Sequence, residues 1–405
     1  MSARLCIVGG GLVGLAAAIA ISRQGRQVSL LEARDYPAEL TQPQALDARS
    51  IALSFSSVQI LRALGLWKNI QSHAAPIRHI HVSSAGHFGV TRLQADALGV
   101  DAMGQVVEYE ALFFALLTLA QQDDNIDLIL PAKVASFEQQ DHHVTLHYRR
   151  GQQSASLQAE VLMVADGAQS SLRAKLGIET EVLDYRQSAI ITNLETAQPP
   201  NDCAYERFTR HGPLALLPLP DQRYALVWTN SPARCDELLK LPDDQFLQQL
   251  YRQFGYRLGY FSAVGQRTRF DLKRTRARQL VNARSVLVGN AANTLHPVAG
   301  QGFNLALRDV AQLFDALSDI DWSGPRLEQS LASYQQARLK DQDRVVRAGD
   351  GLVKLFSNDL PVLNHARAAA LAALDCCSPL KHELAWQGMG YGVGCSSLMR
   401  GEMPR

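Results

Sequence analysis

The chain has 405 residues, which is more than one hydrophobic core usually organises, so we expect two closely associated domains. Hydrophobic residues make up 47% of the sequence and charged residues 20%, as is usual for a globular protein, and the net charge of +1 gives no sign of a nucleic-acid partner. The six cysteines form no CxxC pair and have no regular spacing, which favours reduced thiols in a cytosolic protein over a disulfide framework or zinc site.

The apolar segment from Leu5 to Ile21 could be the core of a signal peptide or a strand followed by a helix. It contains four glycines, only Arg4 precedes it as a charge, and a second strand-like run from Gln27 to Leu31 follows. These features favour a strand over 4–8, a helix over 12–23 and a second strand, the opening of a doubly wound sheet. No other apolar run reaches membrane-spanning length, so we expect a cytoplasmic protein with at most peripheral contact at the inner membrane.

The remaining chain alternates between helical and extended patterns. The patterns predict helices over 54–64, 109–121, 243–254, 301–317 and from 327 to about 375, and strands over 126–130, 134–148, 156–164, 267–272 and 285–288. The segment 182–228 is rich in strand patterns interrupted by Pro and Gly, which predicts an inserted antiparallel sheet. The last thirty residues show no clear pattern.

The first motif is a glycine-rich turn between the first predicted strand and helix. Gly9 permits a tight turn, Gly11 lets the backbone approach a pyrophosphate, and Gly14 allows the helix that opens at Leu12 to pack against the strand. The helix N-terminus offers N–H groups to phosphates. Glu32, at the end of the second strand, can accept hydrogen bonds from a ribose diol. The motif predicts a dinucleotide site, without distinguishing NAD from FAD.

Two further motifs follow predicted strands. Asp166-Gly167 alone is more often an ordinary turn. The third motif begins at Gly289-Asn290 and runs through a Pro-bounded loop into a helix through Gly-Gln-Gly, ending at Gly302-Phe303-Asn304. Small residues let a flat ring lie against the backbone, and a helix N-terminus favours the negative charge of a reduced flavin. A plain helix-capping loop is the alternative.

Together the three motifs resemble those of the class A flavoprotein aromatic hydroxylases, the relatives of para-hydroxybenzoate hydroxylase. Segments 47–54, 65–67 and 211–215 resemble the ubiquinone-biosynthesis branch, and the third motif is most similar to that of its 2-polyprenyl-6-methoxyphenol hydroxylases. The resemblance implies an α/β fold with a Rossmann-like FAD-binding domain, an inserted antiparallel-sheet substrate domain and a helical C-terminus. We expect the first in residues 1–75, 100–180 and 275–325, the second in 76–99 and 181–274, and the third in 326–405.

The resemblance also implies roles for single residues. It places Glu32 on the adenosine ribose, Arg49 near the flavin diphosphate or ring, Gln105 near the ribityl chain, Asn290 on a ribityl hydroxyl, and the backbone of Gly302 and Phe303 at the flavin carbonyl edge. Asp166, Gly289 and Asn304 complete the expected FAD-binding set. The family's usual Gly-Asp is Gly289-Asn290 here, and its Gly-Ala-Asp-Gly begins with Val164, so we expect weaker flavin binding.

Candidate catalytic residues are few. The resemblance implies that Pro297 lies beside the substrate ring, and His296 could accept a phenol proton, although a structural role is its alternative. Leu214, Leu216 and Leu217 are candidate pocket walls, with ordinary sheet core as the alternative. His142, His143 and His147 fall on a polar hairpin without acids at metal-ligand spacing, so we interpret them as surface residues and expect no metal site. A basic cluster over 267–278 indicates either a solvated strand edge or a surface that attracts NAD(P)H phosphates or anionic lipid.

The resemblance implies an FAD-dependent monooxygenase that hydroxylates the aromatic ring of a polyprenyl phenol in ubiquinone biosynthesis. It would use NAD(P)H and O2 through a flavin hydroperoxide, in a closed apolar pocket. Other ubiquinone-biosynthesis proteins are possible partners. Three alternatives stay open: a flavin reductase or oxidase that does not hydroxylate, a non-catalytic FAD-binding member of a biosynthetic complex, and an NAD-dependent dehydrogenase.

Overall fold

The computed structural model describes residues 2–36, 49–295, 300–356, 361–392 and 394–403. The strands in chain order are β1 Ser2–Val8, β2 Val28–Leu31, β3 Ser50–Ser54, β4 Ala74–Ile77, β5 His79–Ser84, β6 Val90–Gln94, β7 Gly104–Glu108, β8 Ile126–Ile129, β9 Lys133–Gln139, β10 Val144–Arg150, β11 Gln153–Val164, β12 Thr180–Thr196, β13 Cys203–Thr209, β14 Gly212–Leu219, β15 Arg223–Asn230, β16 Phe261–Val264, β17 Thr268–Ala277, β18 Val281–Asn282, β19 Ser285–Leu287 and β20 Asn293–Thr294. The helices are α1 Leu12–Ser22, α2 Phe55–Ala63, α3 Trp67–Ile70, α4 Tyr109–Gln121, α5 Ser171–Lys175, α6 Pro232–Leu239, α7 Asp243–Phe254, α8 Gln301–Leu317, α9 Arg326–Phe356, α10 Pro361–Cys376 and α11 Ser378–Gly388.

The first sheet has the order β18-β19-β11-β1-β2-β8, and β9 and β10 extend it from β11. Its strands from β19 to β8 are parallel, and α1 packs between α4 and α8 on one face. Because α1 is Ala-rich and apolar on all sides, it is buried along almost its whole length. Small side chains allow this close approach of helices and sheet, and the β1-α1-β2 unit expected from the sequence is confirmed.

The second sheet has the order β20-β17-β12-β15-β14-β13-β5-β6, with β16 paired to β12. Its strands are antiparallel neighbours apart from the parallel pair β13 and β5. One face forms a core with α6 and α7, and the other packs against β4 and β7 of a small third sheet ordered β3-β7-β4. The antiparallel sheet is confirmed, and the exact domain boundaries stay predictions.

One local prediction was wrong. The segment 134–148 was expected as one strand, but it forms β9 and β10 around a turn in which the Gln140 N–H donates to the His143 carbonyl over 2.8 Å. The polar residues Asp141 and His142 favour that turn. The last thirty residues, for which the sequence shows no clear pattern, contain α11, whose Pro379 stands in the first turn, where proline is tolerated. This helix agrees with the helical C-terminus that the resemblance implies. In the described parts of the chain, no helix is both long and apolar enough to cross a membrane.

Candidate cofactor site

The three motifs leave the first sheet at the same edge. In the parallel register Val8 of β1 lies beside Val164 of β11, and Val164 lies beside Leu287 of β19. The backbone continues this alignment, because the Ala165 N–H donates to the Val8 carbonyl at 2.8 Å and the Val288 N–H to the Val164 carbonyl at 3.0 Å. The carboxyl edge of such a sheet is where α/β folds bind ligands. Motifs more than a hundred residues apart therefore become neighbouring turns.

The glycines of the first motif meet different constraints. Gly9 has φ +110°, and a Cβ there would lie 2.3 Å from the Ala165 carbonyl oxygen. A Cβ on Gly14 would lie 1.9 Å from the Gly9 carbonyl oxygen. These values confirm the tight turn at Gly9 and the close helix packing at Gly14. Around Gly11 no atom of the described residues lies within 4 Å of the Cβ position, so they leave the backbone open to a ligand.

Glu32 and Tyr36 hold the glycine turn in place. The Gly10 N–H donates to Glu32 Oε2 at 2.8 Å, and the Tyr36 hydroxyl donates to the Gly10 carbonyl at 2.9 Å. Burial, followed by the negative charge of Glu32, raises the pKa of Tyr36, so this hydroxyl stays a neutral donor. The sequence offered no signal for Tyr36, because its contact depends on how the chain turns after β2.

The second motif is joined to the third by Arg173. Its guanidinium donates to the Ala291 carbonyl at 2.9 Å and to the Ala168 carbonyl at 3.1 Å. Asp166 Oδ2 accepts a long hydrogen bond of 3.5 Å from the Leu172 N–H, and its buried Oδ1 has no hydrogen-bond partner among the described residues. An unpartnered buried acceptor costs free energy, and a ligand hydroxyl would satisfy it.

The third motif begins with a left-handed turn and ends at an uncapped helix. Gly289 has φ +61° and starts a short 3-10 turn, in which Asn290 is exposed. Gly300, with φ +59°, precedes α8 without a side-chain cap. The described residues leave open space at the Cβ position of Gly302, and Phe303 is partly buried against the core formed by α1 and the first sheet. The N-terminus of α8 is thus available to a ligand.

Asn304 fixes that helix end against β3. Its Oδ1 accepts from the Ser54 N–H at 2.8 Å, and its Nδ2 donates to the Ala52 carbonyl at 2.9 Å and the Gly300 carbonyl at 2.8 Å. These three hydrogen bonds engage both the carbonyl oxygen and the amino group of the Asn304 side chain. The expected contact of Asn304 with the cofactor stays a prediction, and its observed role is to position the turn before α8.

Arg49 and Gln105 lie on the small sheet beside α8. The exposed Arg49 guanidinium lies over the Tyr109 ring, 4.5 Å from its centroid, and the half-buried Gln105 pairs with Leu53 of β3. Gln105 therefore lies on the strand next to β3, whose backbone is hydrogen-bonded to Asn304. The catalytic candidates His296 and Pro297 lie outside the described residues.

The three leucine candidates do not share one face of the second sheet. Leu214 and Leu216 belong to the core with α7, so the ordinary core reading is confirmed for them. Leu217 faces the other way and packs in a cluster with Val106 of β7 and Ala204 of β13. This second face is turned toward the small sheet, whose strand β3 contacts α8.

Glu206 is an acidic residue on that same face. It lies on the same face of β13 as Ala204 and Phe208, which are two residues away on either side. Its cross-strand neighbours are Val82 and Ala215. Its Oε1 is buried and has no hydrogen-bond partner in the described part of the chain, and burial raises the pKa of Glu206 to about 7. A carboxyl group with this pKa can accept or donate a proton at neutral pH. The sequence signal was an acid in an otherwise apolar strand face.

The basic cluster over 267–278 is neutralised by acids. Each cation lies within ion-pair distance of a carboxylate, in the pairs Arg267–Asp243, Arg269–Asp236, Lys273–Asp184, Arg274–Glu181, Arg276–Asp343 and Arg278–Glu179. A solvated strand edge describes exposed members such as Lys273 and Arg278, whereas Arg274 is buried. The pairing of the cluster leaves little excess charge to attract an anion.

The residues at the cofactor edge fit an FAD molecule. Among the described residues, none fills the Cβ positions of Gly11 and Gly302, none caps α1 or α8 through its side chain, and none is a hydrogen-bond partner of Asp166 Oδ1. Two uncapped helix ends and a free carboxylate oxygen suit diphosphate, hydroxyls and a ring that becomes anionic on reduction.

Comparison with known proteins agrees with this site. The family described as "FAD binding domain" matches residues 2–349. The chain is 35% identical to ubiquinone hydroxylase UbiL of Rhodospirillum rubrum, over 98% of this chain and 93% of that protein. It is 32% identical to 3-demethoxyubiquinol 3-hydroxylase of Escherichia coli, over 96% and 98%. The crystal structure of p-nitrophenol 4-monooxygenase PnpA from Pseudomonas putida shares the fold, with a TM-score of 0.77, 17% identity and coverage of 96% and 98%. The chain therefore belongs to the FAD-dependent monooxygenase family that contains the hydroxylases of ubiquinone biosynthesis.

Proposed function

We propose that the protein hydroxylates the aromatic ring of a polyprenyl phenol, with NAD(P)H as electron donor and O2 as oxygen source. The observation that carries this proposal is the near full-length similarity to two hydroxylases named for ubiquinone and its precursors. The meeting of all three motifs at one sheet edge supports it, because the resemblance assigns all three to one FAD molecule.

Residues from four segments would hold FAD. The N–H groups at the start of α1 would bind the diphosphate, and Glu32 would move from the Gly10 N–H to the adenosine ribose. Asp166 and Asn290 would bind hydroxyls, and the α8 N-terminus at Gly302 would face the pyrimidine edge of the ring. When bound, FAD supplies the electron transfer from NAD(P)H and the reaction with O2, for which protein side chains have no equivalent.

The protein's own contribution would be a dry pocket and a proton acceptor. The apolar face with Leu217 and Val106 would exclude water from the reacting ring. Glu206 is a candidate for the group that binds the phenol hydroxyl and takes its proton, which makes the ring more electron-rich. His296 is the second candidate.

The test uses purified FAD-loaded enzyme, NADH or NADPH, isotopically labelled O2 and a polyprenyl methoxyphenol. We expect substrate-dependent NAD(P)H oxidation and one labelled oxygen in the product, detected by mass spectrometry. NAD(P)H consumption that yields only hydrogen peroxide would favour the reductase or oxidase alternative. In parallel, deletion of the gene should cause a quinone precursor that lacks one hydroxyl group to accumulate.

We also propose a peripheral contact with the membrane that holds this lipid substrate. Leu380 and Leu384 stand one turn apart on α11, and they are 60% and 45% exposed. Apolar side chains on one side of a helix suit an interfacial contact. Replacing both by serine should reduce sedimentation with vesicles and raise the KM for a long-chain substrate, while the KM for NAD(P)H stays unchanged. Equal sedimentation of both proteins would contradict this contact.

A further inference from the structure

A cavity of about 480 Å³ lies against the second sheet on the side that carries α6 and α7. It is bounded by the turn between β13 and β14, by β15, and by both helices. Trp228 on β15 belongs to the core with α7. Ala225, three residues earlier on the same strand, packs on the opposite face with Val106. The cavity is therefore separated from the cofactor edge by the thickness of the sheet.

The charge that lines this cavity is positive. Arg210, Arg234 and Arg252 contribute to its walls, and no Asp or Glu does so among the described residues. Arg234 is paired with Glu237 at 2.7 Å, but neither of the other two arginines forms an ion pair with an acid within the described ranges. A cation in the last turn of α7 is favourable for the helix, which explains Arg252 in part. This interaction with the helix does not explain why the Arg210 side chain lines the same cavity.

Two buried donors at the cavity wall have no acceptor. The indole N–H of Trp228 and the Nδ2 of Asn230 have no hydrogen-bond partner in the described structure, although each residue is only 2% exposed. Nearly all buried polar groups in proteins are hydrogen-bonded, so such a pair needs an explanation. A wall that combines guanidinium groups with unpartnered N–H donors is suited to a ligand rich in acceptor oxygens and negative charge.

We propose that this cavity binds a phosphate ester, as a site separate from FAD and independent of the proposed hydroxylation. Its volume lies within the range of pockets that hold nucleotide-sized molecules, and it exceeds what a bare phosphate needs. Arginine recognises phosphate oxygens through paired N–H groups. The phosphate belongs either to a soluble nucleotide or to the headgroup of an anionic phospholipid, and both present the same chemistry to Arg210 and Arg252.

The experiment is calorimetric titration of the FAD-saturated protein with ADP, with pyrophosphate, and with phosphatidylglycerol vesicles. The test variant is Arg210→Ala with Arg252→Ala. The matched control is Arg278→Ala, which removes an exposed arginine that pairs with Glu179 away from the cavity. The flavin absorbance of each variant reports whether it is folded. We expect saturable binding that weakens with added salt and becomes at least roughly tenfold weaker in the test variant only.

The three titrations distinguish a soluble phosphate ester from a phospholipid headgroup as the natural ligand. Arginine-dependent binding of ADP, without binding to vesicles, assigns the site to a soluble phosphate ester. Arginine-dependent binding to vesicles that pyrophosphate displaces assigns it to a lipid headgroup. Absence of saturable binding in every arm overturns the proposal, and so does binding that Arg278→Ala weakens as much as the test variant.

Discussion

At the scale of single residues, neighbouring glycines of the first motif serve different purposes. A Cβ at position 14 would collide with the Gly9 carbonyl oxygen, so Gly14→Ala should lower the free energy of unfolding by roughly 3 kcal/mol or more and abolish flavin binding. The methyl group of Gly11→Ala meets no atom in the described parts of the chain, so the substitution should change stability by less than about 1 kcal/mol. Its methyl group should still weaken FAD binding by about tenfold or more. Urea unfolding and flavin titration would measure both effects, and normal FAD affinity in Gly11→Ala would contradict the phosphate contact.

Glu206 gives a prediction with a defined pH dependence. Burial raises the pKa of Glu206 in the folded protein to about 7, from about 4.5 for a glutamate in an unfolded chain, so the folded protein binds the extra proton more tightly. This stabilising contribution is complete below pH 4.5 and is lost as the pH rises to about 7. Glu206→Gln should therefore match the wild type near pH 4.5 and be more stable above pH 7, by up to about 3 kcal/mol. Unfolding curves at the two pH values test this, and equal stability above pH 7 would exclude a buried carboxylate.

The same substitution tests the proposed role in catalysis. If Glu206 accepts the phenol proton, Glu206→Gln should lower kcat by roughly a hundredfold. It should also remove the dependence of kcat on a group with a pKa near 7. Glu206→Asp, which keeps the carboxyl group, should recover part of the activity, and full activity in Glu206→Gln would leave His296 as the candidate.

At the scale of elements, a buried ionic network joins α8 to α9. Arg338 Nε donates to Asp309 Oδ1 at 2.6 Å, and Arg338 and Arg308 both donate to Asp341 Oδ2, at 2.7 and 3.0 Å. All four side chains are almost fully buried. Through this network the long C-terminal helix holds α8, whose N-terminus lies at the cofactor edge.

Removing one member should be costly because its partner stays buried. Asp309→Ala should lower the free energy of unfolding by about 3–5 kcal/mol. Asp343→Ala, which removes a partly exposed acid from α9, should cost about 1 kcal/mol or less. Urea unfolding measures the free energy of unfolding of both variants. An equally small loss of stability in the two would mean that the network does not hold the helices together.

At the scale of the whole molecule, FAD would join segments that are distant in the chain. It would contact the turns after β1, β11 and β19 together with β3 and β7, and this arrangement exists only in the folded state. A ligand that binds only the folded state at a hundred times its Kd stabilises it by about 2.7 kcal/mol. For a chain of this length we expect Tm to rise by about 3 °C. FMN lacks the adenylate half and should raise Tm less, and an equal shift with FMN would contradict a role for the first motif.

The sequence by itself determined the turns and the class of ligand. A glycine with positive φ, an acid at a strand end and small residues before a helix are local requirements, and a few residues in order satisfy them. For that reason the first parallel strands, the glycine turn at Gly9 to Gly14 and the helix entered through Gly300 were predictable. The family followed from the same short motifs.

The tertiary structure decided which side chains are engaged, buried or paired. Strands that lie far apart in the chain set the register of Val8, Val164 and Leu287. Such strands also supply the hydrogen bond between β3 and Asn304 and the burial of the Glu206 carboxyl group. The basic cluster is neutral only because acids from other elements reach it. Burial and charge pairing are set by neighbours in space, and a pattern along one segment does not contain them.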